Sequence, residues 1–209
     1  MSKNNFDQVA WIYDTLVKFV FGDRLMVAQR YFLPEIEPGS SVMIAGGGTG
    51  EILEALNELD RDLRIVYIEP SKEMIRIAGK RGPFRNLKID FKPIRLQELE
   101  PQKFDVIITN FFLDIFTEFH VKEIIRNISE SVTINGKWII TDFENTSVWW
   151  HRVLIRTMYI FFRWFSNLEG DKLISFDKYL TQYGCTCVSE KIFMRGLIKS
   201  RVMKKIFVK

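Results

Sequence analysis

The chain is short of the residues that carry metal and disulfide chemistry. Its 209 residues include two cysteines and two histidines. Cys185 and Cys187 lie two apart, which is poor spacing for a bridge along one strand, and no second pair completes a zinc site. They read as reduced, structural thiols sharing one strand face, and no metal centre is expected. Long apolar runs are also missing. No uninterrupted stretch of 18 apolar residues occurs, which argues against a membrane-spanning helix. The N-terminus alternates Lys3, Asp7, Asp14 and Lys18 with apolar residues and shows no secretory signal, so the expected compartment is the cytoplasm. What is abundant is core material. Apolar residues make up 47% of the chain, enough for a sizeable globular core. The net charge of +4 is compatible with anionic ligands or a membrane surface and demands neither.

Apolar periodicity alternates along the chain. Phe6, Val9, Ala10, Tyr13, Val17 and Val20 recur at helical spacing and predict an amphipathic N-terminal helix. Residues 41–45 form a short apolar strand, followed by a glycine cluster and a helix carrying Ile52, Leu56 and Leu59. "RIVYIEP" reads as a buried strand, and Ser71 as the N-cap of the next helix. "LKIDFKPIRL" is a third strand stopped by Pro93, and "FDVIITNFF" a fourth. Val121, Ile124, Ile125, Ile128 and Val132 predict a helix closed by Asn135-Gly136, before a fifth strand, "KWIITDF". The C-terminal stretch reads as two strands broken near Gly196, an antiparallel pair closing the sheet. Strict alternation implies parallel βαβ units, with helices on both faces of an open sheet. The expected fold is a Rossmann-like, doubly wound, mostly parallel seven-stranded sheet with a C-terminal antiparallel hairpin. We expect one domain over 1–209, with a helical cap at 1–35 and an aromatic-rich helical insertion at 144–175.

"AGGGTG", residues 45–50, is the most informative stretch. Open α/β sheets bind ligands beyond the carboxyl ends of their strands, and glycines in the first turn let a ligand approach the backbone. A dinucleotide fingerprint needs its third glycine at residue 51 or 53, where Glu51 and Leu53 stand. A P-loop needs a lysine that does not follow. The spacing present is Gly46-x-Gly48-x-Gly50. Glu69 closes the second strand nineteen residues after Gly50, where a carboxylate can accept both hydroxyls of a ribose.

On these residues the sequence resembles the class I S-adenosylmethionine-dependent methyltransferases. "VMIAGGGTGEIL" is similar to their first motif, "IVYIEPSKEMIRIA" to the second, "FDVIITNFFLDIF" to the fourth-strand motif and "GKWIITDF" to the fifth strand. "FDQVAWIYD" resembles the N-terminal cap of the branch that methylates quinone precursors. The resemblance implies S-adenosyl-L-methionine as cofactor. Gly46, Gly47, Gly48, Thr49 and Gly50 would pass beneath its methionine part and ribose. Glu69 would hold the ribose hydroxyls, Pro70 and Ser71 would flank the adenine, and Arg95 and Leu96 would line its other edge. Asn110 and Phe111, with Tyr13 from the cap, would lie at the methionine end. Two positions depart from the family pattern. Ile44 stands where an acid is frequent, and Arg95 where an aspartate often meets the adenine amino group, a donor that a guanidinium cannot accept from.

Methyl transfer from a sulfonium needs alignment and exclusion of water, and needs a base only if the acceptor must lose a proton. Asp114 is a candidate read equally well as a helix-start acid; His120 reads rather as a surface residue and His151 as a packed one, so no catalytic residue is assigned. Residues 148–165, "VWWHRVLIRTMYIFFRWF", fit a buried helix with snorkelling arginines, an apolar lid over the acceptor, or a helix lying on a membrane surface. The expected acceptor is a small apolar or aromatic molecule. Nucleic acid is not expected, because "TNFF" lacks the [DN]-P-P-[YF]-like signature of enzymes that methylate base amino groups. A cofactor-binding module without methyl transfer and, more distantly, a nicotinamide-dependent oxidoreductase are the alternatives. The oligomeric state is not legible.

Overall fold

The computed structural model describes residues 22–151, 154–155 and 173–205. The predicted helix at the N-terminus, with Tyr13, and most of segment 148–165 lie outside the described residues. Seven strands form one sheet: β1 (Ser41–Ala45), β2 (Leu63–Ile68), β3 (Leu87–Lys92), β4 (Phe104–Asn110), β5 (Val132–Phe143), β6 (Cys185–Phe193) and β7 (Ile198–Lys205). Their order is β3-β2-β1-β4-β5-β7-β6. The first five run parallel; β7 is antiparallel to β5 and to β6, the hairpin anticipated from the sequence. The helices are α1 (Arg24–Arg30), α2 (Glu51–Asn57), α3 (Lys72–Lys80), α4 (Glu118–Ser131) and α5 (Asp177–Gln182). No helix among the described residues is long and apolar enough to cross a membrane.

Strand alternation sorts the core into two layers. Val42, Ile44, Ile65 and Tyr67 face α2 and α3, packing with Ile52, Leu53, Leu56 and Ala78. Met43, Ala45, Ile68 and Ile107 face the other way, onto Val121, Ile124, Ile125 and Ile128 of α4. Both faces of the central strands are therefore apolar, which is why they read as continuous hydrophobic runs. Helix α3 starts as its cap residue requires, the Ser71 hydroxyl accepting from the Met74 N–H at 3.2 Å.

Two details differ from the sequence reading. Val132 belongs to β5, not α4, and Asn135-Gly136 lie inside that strand. Pairing passes from Phe104–Val132 to Val106–Lys137, so β5 carries extra residues opposite β4 there, and the turn signal marks this irregularity. The two cysteines also differ in exposure, Cys185 being buried and Cys187 exposed; both are free.

Sheet order reverses between β1 and β4, so helices leave these strands in opposite directions and a crevice opens at their carboxyl ends. The backbone beyond β4 is tied down by a buried acid. Asp142, near the end of β5 and fully buried, accepts from the Leu113 N–H and the Phe143 N–H, each at 3.0 Å. The carboxyl of Asp114, in the 3₁₀ turn Leu113–Ile115, lies close enough to that of Asp142 for each to affect the other's ionisation. Burial pushes Asp114 up to about 7, opposed by its bonds to Asp142 and to its own backbone. Burial, followed by the Asp114 charge, pushes Asp142 well above the usual carboxylate range, opposed by the two N–H donors and by Arg201. Proton uptake by the folded state then stabilises it fully below the unfolded value of about 3.9, and this contribution is lost as pH rises through the folded value. We predict that urea midpoints fall between about pH 4 and pH 7 more steeply in the wild type than in Asp114→Asn. Parallel profiles for the two proteins would show that the pair takes up no such proton.

Candidate functional site

The site is built on the turn between β1 and α2. Gly46 and Gly47 both donate to the Ile68 carbonyl, at 2.9 and 3.2 Å, and so clip the turn to the end of β2. A Cβ at Gly46 would lie 2.4 Å from the Phe112 ring, one at Gly47 would lie 2.1 Å from Tyr67, and one at Gly50 would lie 2.6 Å from the Ala78 Cβ. These three glycines are bare because the protein's own side chains press against them. Gly48 differs: nothing lies within 4 Å of the place its Cβ would occupy, and its φ is +60°. Its bareness serves the backbone bend and the open space above it. The turn is pinned from below by the fully buried Tyr67, whose hydroxyl donates to the Gly48 carbonyl at 2.9 Å.

Glu69 pins it from the side. It is only 7% exposed and follows β2 directly; one oxygen accepts from the Gly48 N–H at 3.1 Å and the other from the Ser71 N–H at 3.0 Å. The carboxylate thus links the β1–α2 turn to the N-cap of α3.

A cavity opens above the turn. Its floor is Ile44 through Ile52, one wall is Asn110 and Phe111 at the end of β4, and the roof is α1 through Asp23, Leu25, Met26 and Gln29. Helix α1 lies within the expected cap at 1–35, but Leu25, Met26 and Gln29 are not among the expected site residues. Two carboxylates, Asp23 and Glu51, line the cavity, and among its described lining residues there is no lysine or arginine. Phe111 takes the left-handed backbone conformation, φ +49°, uncommon for a bulky residue; its N–H donates to the Thr141 carbonyl at 2.7 Å and its ring packs on Phe143. Asn110 donates to Gln29 at 3.5 Å, while its Oδ1 is buried without a hydrogen-bond partner. An orphaned acceptor in a cavity wall is what a ligand donor would satisfy.

The remaining expected residues are placed as follows. Glu69 and the buried Ser71 adjoin the turn without lining this cavity, and Pro70 between them is exposed. Arg95 and Leu96 do not line it either. Arg95 is exposed, its N–H donating to the Glu98 carboxylate at 2.8 Å, and Leu96 packs half-buried beside the α4 layer. Asp114 is an acid in the first turn of the 3₁₀ helix Leu113–Ile115 and also half of the carboxyl pair with Asp142. His120 is half-buried beside Thr117, its Nδ1 3.3 Å from the hydroxyl. His151 is fully buried, its Nδ1 2.6 Å from the Thr146 hydroxyl. None of these three lines the cavity, and among the described residues no cluster could hold a metal ion.

Comparison with known proteins agrees with this arrangement. Residues 43–138 match the family model described as a methyltransferase domain. The chain is similar to a carboxy-S-adenosyl-L-methionine synthase of Campylobacter hominis, 23% identical over 62% of this chain and 60% of that protein. It is also similar to a malonyl-[acyl-carrier protein] O-methyltransferase of Bacillus anthracis, 28% identical over 49% of this chain and 37% of that one. The matched region thus spans less than two thirds of either relative. Among solved structures, the Burkholderia thailandensis 1,6-didemethyltoxoflavin-N1-methyltransferase, with its substrate and S-adenosylhomocysteine bound, superposes with a TM-score of 0.64. It is 14% identical, over 98% of this chain and 91% of that one, a likeness of fold. The matched domain takes in the glycine turn and strands β1 to β4, and over that stretch the chain is similar to S-adenosylmethionine-dependent methyltransferases.

Proposed function

We propose that the chain binds S-adenosylmethionine in the cavity above residues 46–50 and transfers its methyl group to a small apolar or aromatic acceptor. The observation that carries this reading is the charge of the cavity. Asp23 favours a cationic sulfonium, with Glu51, ion-paired to Arg81 at 3.6 Å, a weaker contributor, and the absence of basic lining residues disfavours the pyrophosphate of a nicotinamide dinucleotide. Glu69 is assigned to the ribose hydroxyls, and Gly46, Gly48 and Gly50 to the backbone surface beneath the ribose and the methionine part. Asn110 Oδ1 is suited to accept from the ammonium of that part. Asp23 brings to the same cavity the carboxylate that position 44 lacks. Pro70 and Ser71 are assigned to one side of the adenine, Leu96 and the Arg95 backbone to the other, and Tyr13 to the methionine end.

When bound, the cofactor supplies an electrophilic methyl group for in-line displacement by the acceptor. The chain's own contribution is alignment and exclusion of water by α1, Phe111 and the glycine turn. The acceptor class rests on the aromatic content of segment 148–165 and on two relatives named as methyltransferases of non-nucleic-acid substrates. We further infer a single domain over 1–209, with its cap at 1–35 and an acceptor-side insertion at 144–175. A cytoplasmic location fits the two free thiols.

Calorimetric titration with S-adenosylmethionine, S-adenosylhomocysteine and NADH tests the reading. Binding of the first two without the third is expected; binding of NADH alone would refute it. Glu69→Ala is expected to weaken S-adenosylhomocysteine binding by about 2–3 kcal/mol, the scale of hydrogen bonds to a charged group. Unchanged affinity in the folded variant would remove Glu69 from the ribose site. The glycines separate stability from binding. Gly47→Ala, driven into Tyr67, is expected to lose about 1–3 kcal/mol of stability. Gly48→Ala is expected to fold at a cost of about 1–2 kcal/mol and to bind the cofactor more weakly. Wild-type affinity in Gly48→Ala would contradict the placement of the ligand above that residue.

A further inference from the structure

A second cavity, of about 460 Å³, lies between α1, the chain beyond β5 and the turn joining β6 to β7. That is within the usual range for small-molecule sites, about 300–1,000 Å³. It is lined by Arg24, Val27, Trp150, Phe193, Met194 and Arg195. The apolar part is a Trp and a Phe ring with Val and Met side chains. The polar part is two guanidinium groups, and no acid is among the described lining residues.

Three observations set this cavity apart from an ordinary surface depression. The first is backbone strain. Met194 and Arg195 both have left-handed φ, +49° and +54°, just before Gly196 at +96°. Consecutive non-glycine residues in this region are costly, and the tight turn that results places Arg195 at the cavity. The second is reinforcement of the aromatic wall. Tyr31 packs edge-on against Phe193, with centroids 5.6 Å apart, and the Lys191 ammonium lies 5.5 Å over the Tyr31 ring, adding a third cation nearby. The third is an apolar side chain left at the rim, where Val27 is 54% exposed.

The cavity is distinct from the cofactor cavity. At about 100° per residue, Arg24 and Val27 share one side of α1, whereas Leu25, Met26 and Gln29 face the opposite side and roof the other cavity. The two cavities also have opposite character. One presents carboxylates, the other guanidinium groups.

We propose that this second cavity is a binding site for a flat, apolar carboxylate. The rings and the Val27 and Met194 side chains take the apolar body, and Arg24 and Arg195 take the carboxylate. Guanidinium groups suit this role because their planar donors match a carboxylate's two oxygens and they also stack on aromatic faces. The proposal does not depend on methyl transfer, and its test does not involve activity.

The test is calorimetric titration of the full chain with 2-naphthoate and with its neutral isostere 2-naphthamide, at low and high salt, with and without saturating S-adenosylhomocysteine. We expect one naphthoate per chain, bound at least about tenfold more tightly than the amide, weakened by salt, and not displaced by S-adenosylhomocysteine. Both arginines are exposed, so Arg24→Gln/Arg195→Gln is expected to fold normally. It should bind naphthoate roughly tenfold more weakly while leaving the amide unchanged. Absence of naphthoate binding to the wild type, equal affinity for acid and amide, insensitivity to the double substitution, or displacement by S-adenosylhomocysteine would each overturn the proposal. Failure of S-adenosylhomocysteine itself to bind would count against the cofactor reading and leave this one standing.

Discussion

The main chain at Gly46, Gly47 and Gly50 lies so close to Phe112, Tyr67 and Ala78 that side chains would collide there, and this contact organises the carboxyl end of the sheet. The glycine turn rests on Tyr67, which holds the Gly48 carbonyl from below, while Glu69 holds the Gly48 N–H from the side. Both polar groups of one peptide neighbourhood are thereby fixed by buried residues from the second strand and its end. A flexible sequence is made rigid, and a stretch of backbone is presented to the crevice where the sheet order reverses. The same carboxylate fixes the start of α3 through Ser71, so three elements share one anchor.

Electrostatics then divides the ligand chemistry across a single helix. On one side of α1 the cavity lining carries Asp23 and Glu51; on the other it carries Arg24 and Arg195. A sulfonium finds no acid among the described lining of the second cavity, and a flat apolar carboxylate finds no base among that of the first. Beyond β4, the Asp114–Asp142 pair does different work. Asp142 receives the Leu113 N–H and so sets the path of the chain that carries Phe111 and Phe112 into the cavity wall. A buried acid pair is an expensive way to hold a turn, and it ties local geometry there to proton uptake.

Most of the fold could be read from the chain because the central strands are apolar on both faces and are bounded by strong turn residues. β1 ends at its glycines, β3 ends before Pro93, and the final strands break at Gly196. By sequence Val132 reads with the preceding helix because it continues the 121–125–128 spacing as well as it begins a strand, and only pairing with Phe104 decides between them. At the site, the glycines and Glu69 were legible because their spacing is local. The reason for the bare glycines was not, since Tyr67, Ala78 and Phe112 reach them only through tertiary packing. The roof was missed for a related cause: Leu25, Met26 and Gln29 look like any amphipathic turn until the helix is docked. Arg95 and Leu96, expected near the adenine, sit at a turn where the Glu98 carboxylate accepts from the Arg95 N–H, a contact that spacing alone does not suggest.

The most direct test of the central claim is a crystal structure of the chain with S-adenosylhomocysteine bound. The account predicts ribose hydroxyls on the Glu69 carboxylate, the amino-acid end beside Asn110 and Asp23, and ligand atoms in van der Waals contact with Gly48. A ligand bound elsewhere, or one whose ribose avoids Glu69 while the glycine turn stays bare, would contradict it.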